Sequence, residues 1–188
     1  AASIRKVLKD QNIALSDVAG VGLGIPGPVL PSGYVEVCVN LGWHDMNPQE
    51  ILSGLLDGIT VKTGNDANVA ALGEMWEGGG KGYCDIVMVT LGTGVGGGVI
   101  IDQKIIPGKH GLAGEIGHMR IRESEKEQCN CKGYGCVEQI ASATGIAREA
   151  RRLMEKSSAD SAMRKFGGRI SAKNVVDCAK AGDALALE

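Results

Sequence analysis

The 188-residue chain predicts an α/β fold, and three observations lead there. Short aliphatic runs alternate with amphipathic stretches of helical period, and helices then follow on their own. Glycine reaches 29 residues, about twice the usual share of roughly 7%, and supplies the tight turns that such alternation needs. Aromatic residues make up 3% and apolar residues 44%. The core is therefore aliphatic, and large enough for one domain or two small lobes.

The elements follow in order. Ser3 to Leu15 reads as an amphipathic helix, not a signal peptide, because no long apolar stretch follows its charges. VAGVGLGI, Val18 to Ile25, reads as a buried strand ended by Pro26-Gly27-Pro28. Tyr34 to Val39 reads as a second strand. Asn47-Pro48-Gln49-Glu50 is a helix start, with Asn as cap, Pro in the first position and Glu in the third. That helix is expected to run to about Leu56. Ile59 to Lys62 is a short strand, Asp66 to Trp76 a helix with Asn65 or Asp66 near its cap, and Asp85 to Leu91 a core strand. Gly98 to Ile101 and Lys104 to Ile106 suggest a hairpin through Asp102-Gln103. Helices are expected at Val137–Ala141, Thr144–Glu155, Asp160–Phe166 and Ser171–Lys180. The chain opens on a helix with no strand before it and closes on GDALALE, which reads as the first turn of another helix. A piece of a longer protein is expected.

The formal net charge is -2, which argues against nucleic acid or an anionic membrane surface as the main partner. No apolar run reaches the roughly 18 residues that a membrane span needs. Six cysteines without an export signal suggest reduced thiols, a cytoplasmic setting and a metal.

Three of those cysteines crowd into one segment with one of only three histidines: His118-x10-Cys129-x-Cys131-x4-Cys136. Three thiolates and an imidazole are a common tetrahedral set for zinc, and a closed four-ligand site leaves no position for a reacting water. Structural zinc is therefore expected, pinning a loop with little core of its own. Free thiols on a polar loop, or a disulfide, are the competing readings, although Cys129 and Cys131 are too close to bridge comfortably. Cys38, Cys84 and Cys178 sit in apolar or helical contexts and are expected to be inert core residues.

LGTGVGGGVI, Leu91 to Ile100, formally fits G-x-G-x-x-G through Gly92, Gly94 and Gly97. A dinucleotide site would need a helix next, whereas GVIIDQKII is strand-like, and no G-K-[ST] makes it a Walker loop. A strand–glycine turn–strand can present backbone N–H groups and Thr93 to phosphate oxygens, or it can be a plain hairpin. Spacing alone leaves both open. Asn65-Asp66 falls between a strand and a helix, where the helix N-terminus favours an ionised carboxylate. Asp66 could accept a proton from an attacking hydroxyl, or merely cap its helix.

Taken together, these segments resemble the ROK family of sugar kinases and repressors, and within it the bacterial glucokinases. The matching stretches are GLGIPGPV (Gly22–Val29), NLGW (Asn40–Trp43), NDANVAALGE (Asn65–Glu74), VTLGTGVGGGVI (from Val89), GEIGHM (Gly114–Met119) and CNCKGYGCVEQIASATGIAREA (Cys129–Ala150). They stand in family order over most of Ala19 to Ala150. The resemblance implies an actin-like ATPase (ribonuclease H-like) fold of two lobes with sugar and ATP in the cleft between them. Residues 1–65 would be the remainder of a small lobe and 66–188 a large lobe carrying a zinc loop at about 114–139. It also implies ATP-dependent phosphorylation of glucose at the 6-hydroxyl, with magnesium accompanying ATP and a homodimer as the assembly. Asp66 would be the general base; Asn65, Glu115, His118 and Glu138 would bind sugar hydroxyls, with Asn40 near the sugar. Gly92, Thr93 and Gly94 would lie by the transferring phosphate, and His118, Cys129, Cys131 and Cys136 would hold zinc.

Two departures matter. The family's knuckle reads C-x-C-G-x-x-G-C, but Lys132 stands at the first glycine, and a positive φ there would cost about 1 kcal/mol. The family's N-terminal D-x-G-G-T phosphate loop and its C-terminal adenosine segment are missing, so this segment alone is expected to be weak or inactive. Alternatives are a kinase for fructose, N-acetylglucosamine or N-acetylmannosamine, a sugar-responsive repressor of the same family, and a zinc-stabilised binding module. Pocket shape, which one sequence does not display, decides among the sugars. Retention of Asp66 leans toward catalysis, since a sensor needs only binding groups.

Overall fold

Local chemistry sets the helix starts in the computed structural model, which describes all 188 residues. Asn47 caps α2 (Pro48–Leu55), its side chain accepting from the Glu50 N–H with Pro48 in the first turn. Asn65 caps α3 (Asp66–Glu77) by accepting from the Asn68 N–H. Ser142 and Ser171 do the same farther along, the latter in a reciprocal capping box with Asn174. Each such cap is worth about 1 kcal/mol.

The chain divides into two compact units, Ala1–Met88 with Gly98–Gly114, and Val89–Gly97 with Glu115–Glu188. In the first, α1 (Ala2–Asp10) is shorter than the expected Ser3–Leu15, because Asn12 takes φ 54° and breaks the helix. Strand β1 (Val21–Ile25) pairs in parallel with β4 (Val61–Asn65), Ile25 opposite Asn65. Strand β2 (Val35–Cys38) pairs antiparallel with β3 (Trp43–Met46). Strand β3 has no counterpart among the expected elements; it is four residues long, with only its ends half-buried. Ile25, Val29, Val35 and Cys38 form a buried cluster with Leu23 and Trp43 against it. Gly98 lets α3 approach the sheet closely: a Cβ there would lie 2.6 Å from that of Ala71.

Strands β5 (Ile86–Leu91), β6 (Val95–Ile101) and β7 (Lys104–Ile105) form a sheet in that order. β6 begins three residues before the expected Gly98, because ladder hydrogen bonding continues through Gly96 and Gly97 despite their weak strand propensity. Cys84, expected in the core, is exposed, since it lies on the turn before β5. Cys38 and Cys178 are buried as expected.

The second unit holds α4 (Glu138–Ala141), α5 (Ala143–Lys156), α6 (Ala172–Lys180) and α7 (Ala184–Leu187). A run of 3-10 turns fills Ala162–Arg169, broken where Gly167 leaves helical geometry. Ala150, Met163, Ile170, Val175, Cys178 and Leu185 make its core. No helix is long and apolar enough to cross a membrane.

Candidate functional site

The cysteine segment folds as a knuckle held largely by backbone hydrogen bonds. Gln128 bridges to Tyr134, and Arg120 to Cys136. The Cys129 N–H donates to Gly133 O at 2.8 Å, and the Lys132 N–H to Cys129 O at 2.8 Å. The Ile121 and Arg122 N–H groups both donate to Gly135 O, and the Val137 N–H donates to Met119 O. Gly135, at φ 72°, admits no side chain, since a Cβ would sit 1.8 Å from Arg122 O. Lys132 has φ 70°, so the position usually given to glycine does need the left-handed region, at about 1 kcal/mol of strain.

This fold gathers His118, Cys129, Cys131 and Cys136, whose ligand atoms all lie within 4.8 Å of one another. Cys131 and Cys136 Sγ are 3.6 Å apart, and Cys129 Sγ is 3.7 Å from His118 Nδ1. A tetrahedral zinc with bonds of about 2.3 Å would set such edges at roughly 3.8 Å, so the donor set fits in chemistry and in span. Burial, then hydrogen bonds and charge from the other two thiols, push Cys136 up to about 12. At Cys131 burial acts upward too, but the Gly133 N–H and the neighbouring thiols outweigh it and bring the group below its ordinary value. Three thiols this close resist sharing their ionisation until a cation compensates them.

Two carboxylates stand beside the knuckle. Glu115 Oε2 lies 3.8 Å from His118 Nε2, on the ring edge away from Cys129, which is how a carboxylate orients a metal-binding imidazole. Glu138 Oε2 accepts from the Val95 N–H at 3.0 Å, tying α4 to the glycine loop. Gly94 must be glycine for that contact, since its Cβ would lie 2.3 Å from the same oxygen. The loop turns on a Gly92 N–H to Gly94 O bond of 3.0 Å, with Thr93 exposed at its tip.

Asn65, Asp66 and Asn40 belong to the first unit. Asp66 opens α3, exposed, with Oδ1 accepting from the Ala67 N–H at 2.9 Å. Asn65 Oδ1 caps α3 while its Nδ2 donates to Gly27 O at 3.2 Å, so the cap falls to Asn65 and leaves one Asp66 oxygen uncommitted. Asn40 is exposed in a 3-10 turn, Val39–Leu41.

Two supports had no counterpart in the sequence reading. Gln139 is buried; its Oε1 accepts from the Gly135 and Cys136 N–H groups and its Nε2 donates to Glu127 O. It plugs the knuckle from behind. Glu125, whose side chain is 1% exposed, takes Arg152 in a two-pronged grip at 2.8 and 2.9 Å and Arg148 at 3.3 Å. Nothing within ESEKEQ marks Glu125 for burial, which depends on the arginines of α5. Hydrogen bonding from Arg152, then from the Glu127 N–H, holds Glu125 at about 2 against an ordinary 4.5. A depressed folded-state value stabilises above the unfolded one and is lost as pH falls through the folded one. The shift is worth about 3 kcal/mol, present above about pH 4.5 and gone near pH 2. Denaturant unfolding of Glu125→Gln and wild type from pH 6 to pH 2.5 checks this. The variant is expected to be several kcal/mol weaker at pH 6, with the gap closing toward pH 2.5. A gap constant with pH contradicts the assignment.

A family model described as "ROK family" matches residues 1–188. A glucokinase from Halalkalibacterium halodurans is 40% identical over 188 residues, 98% of this chain and 57% of that protein. A putative xylose repressor from Caldicellulosiruptor sp. is 35% identical over 144 residues, covering 76% of this chain and 36% of that protein. Among solved structures, a ROK family glucokinase from Streptomyces griseus in complex with glucose and AMPPNP superposes with a TM-score of 0.76 at 31% identity. That match covers 99% of this chain and 61% of the other. The chain thus spans little more than half the length of these kinases.

Proposed function

Since this chain belongs to the ROK family and has the actin-like ATPase fold of its structural neighbours, we propose that it is part of an ATP-dependent hexose kinase, with glucose as substrate. In the proposed step the sugar 6-oxygen attacks the γ-phosphorus of ATP. The new O–P bond forms as the bond to the ADP oxygen breaks, and the hydroxyl proton passes to the Asp66 carboxylate. Asn65, Glu115, His118 and Glu138 bind the other hydroxyls, with Asn40 beside the sugar. Gly92, Thr93 and Gly94 meet the transferring phosphate, which arrives with magnesium. His118, Cys129, Cys131 and Cys136 would hold a zinc ion, whose contribution is to close the knuckle and nothing more. Residues 1–65 and 66–188 correspond in this reading to a small and a large lobe, and the working assembly is a homodimer.

The observation that carries the reading is the Glu138 contact. The residue two places beyond the last knuckle cysteine bonds the Val95 N–H, so the acid assigned to the sugar also holds the loop assigned to the phosphate. Positioning of this kind accounts for most of the rate in phosphoryl transfer, where there is little covalent chemistry for the protein to do. The identity to a repressor supports a second reading, a sugar sensor. Coupled ADP release by a full-length protein carrying this sequence, across a panel of glucose, fructose, N-acetylglucosamine and N-acetylmannosamine, separates the two. Turnover is expected, with glucose preferred. Sugar binding without ADP release would favour the sensor.

A further inference from the structure

A second fastening on the glycine loop comes from the start of α5. The Ala143 N–H donates to Gly92 O at 2.8 Å, and Thr144 Oγ1 donates to Thr93 O at 2.9 Å. Ser142 Oγ lies 3.0 Å from Thr144 Oγ1 and accepts from the Gly145 N–H at 3.0 Å. Proton counting fixes the direction of the chain. A hydroxyl has one hydrogen, and that of Thr144 is spent on Thr93 O, so Ser142 must donate to Thr144. The run therefore reads Gly145 N–H to Ser142, Ser142 to Thr144, and Thr144 to the Thr93 carbonyl. Ser142 is fully buried, so its hydroxyl has no solvent alternative.

The two loop carbonyls are thereby drawn toward α5, while Glu138 takes the Val95 N–H from the other side. The N–H groups of Thr93 and Gly94, which sit between these fastenings, donate to no acceptor within the protein. A loop with its carbonyls held down and its tip amides free is set to receive phosphate oxygens.

We propose that Thr144 is a positioning residue for phosphoryl transfer: its hydroxyl, oriented by Ser142, fixes the Thr93 peptide so that the free Thr93 and Gly94 amides face the transferring phosphate. Thr144 touches no reacting atom and acts only through the loop. The role rests on the kinase reading, but the fastening can be tested without it.

In this 188-residue chain, Thr144→Val keeps the shape and removes the donor, whereas Thr144→Ser keeps the donor. Amide exchange at Ala143, Gly92 and Val95 is expected to speed up about 10-fold in the valine variant and to return to the wild-type rate in the serine variant. Exchange unchanged by valine, or not restored by serine, overturns the fastening. In a full-length protein carrying this sequence, valine is expected to lower kcat by about 10- to 100-fold, the scale of a small misplacement. KM for the hexose should stay within about twofold, because the sugar-binding groups are untouched, and serine should restore kcat. A valine variant with wild-type kcat, or one whose loss is all in hexose KM, overturns the positioning role. A wild type that releases no ADP overturns the kinase reading instead, and the exchange result then still decides the fastening.

Discussion

Replacing Asp66 with asparagine is expected to lower kcat for hexose phosphorylation by about 10²- to 10⁴-fold, the usual contribution of a positioned base, while hexose KM changes little. The substitution is nearly isosteric, and Asn can still accept from the Ala67 N–H as Asp66 Oδ1 does. The cap of α3 belongs to Asn65, so helix stability should survive within about 1 kcal/mol. The loss would therefore be one of proton acceptance and not of folding. Steady-state ADP release together with thermal unfolding of the same sample checks both halves. A variant with wild-type kcat would remove Asp66 from the proton transfer.

Removing one of the proposed zinc ligands is the second large effect. Cys136→Ser is expected to abolish metal retention and to unfold the knuckle, because this segment has little else. Apart from glycines, its buried members are Cys129, Cys136, Gln139 and Glu125, and its tightest turn rests on a glycine, Gly135, that tolerates no side chain. Structural zinc in small modules supplies on the order of 10 kcal/mol of folding free energy at neutral pH, far more than the backbone bonds of the knuckle could replace. Glu115 would lose the oriented His118 ring, and Glu138, at the knuckle's exit, its fixed approach to Val95. Turnover should fall with metal content. The helical core around Met163 and Ile170 should persist, so circular dichroism is expected to keep most of its helix signal while protease sensitivity rises across Gly114–Gln139. A variant with full metal content and unchanged protease resistance contradicts the account.

Much of this was legible in the residues. The knuckle could be read because ligand spacing is a local code: His118 and the three thiols needed only a turn to meet, and the glycines at 133 and 135 announced one. The helix starts at Asn47 and Asn65 were legible for the same reason, since a cap is settled within four residues. Strand β3 was not, because Trp43–Met46 has no alternation strong enough to separate it from a turn. Nor was the full length of β6, where three consecutive glycines hide a strand whose pairing comes from its neighbours. Glu125 was not legible either. Its burial depends on Arg148 and Arg152, more than twenty residues away on α5, and no window along the chain contains both sides. Thr144 was missed in the same way, because its partner Thr93 lies 51 residues earlier. Lys132 was read correctly as a residue out of place, and its φ of 70° shows why glycine is the usual choice.

Zinc-edge X-ray absorption on this chain, purified without a metal-chelating tag, tests the claim on which the rest stands. One zinc per chain is predicted, with three sulfurs at about 2.3 Å and one nitrogen at about 2.0 Å in its inner shell. A chain free of zinc, or a zinc surrounded by oxygen and nitrogen alone, would contradict it.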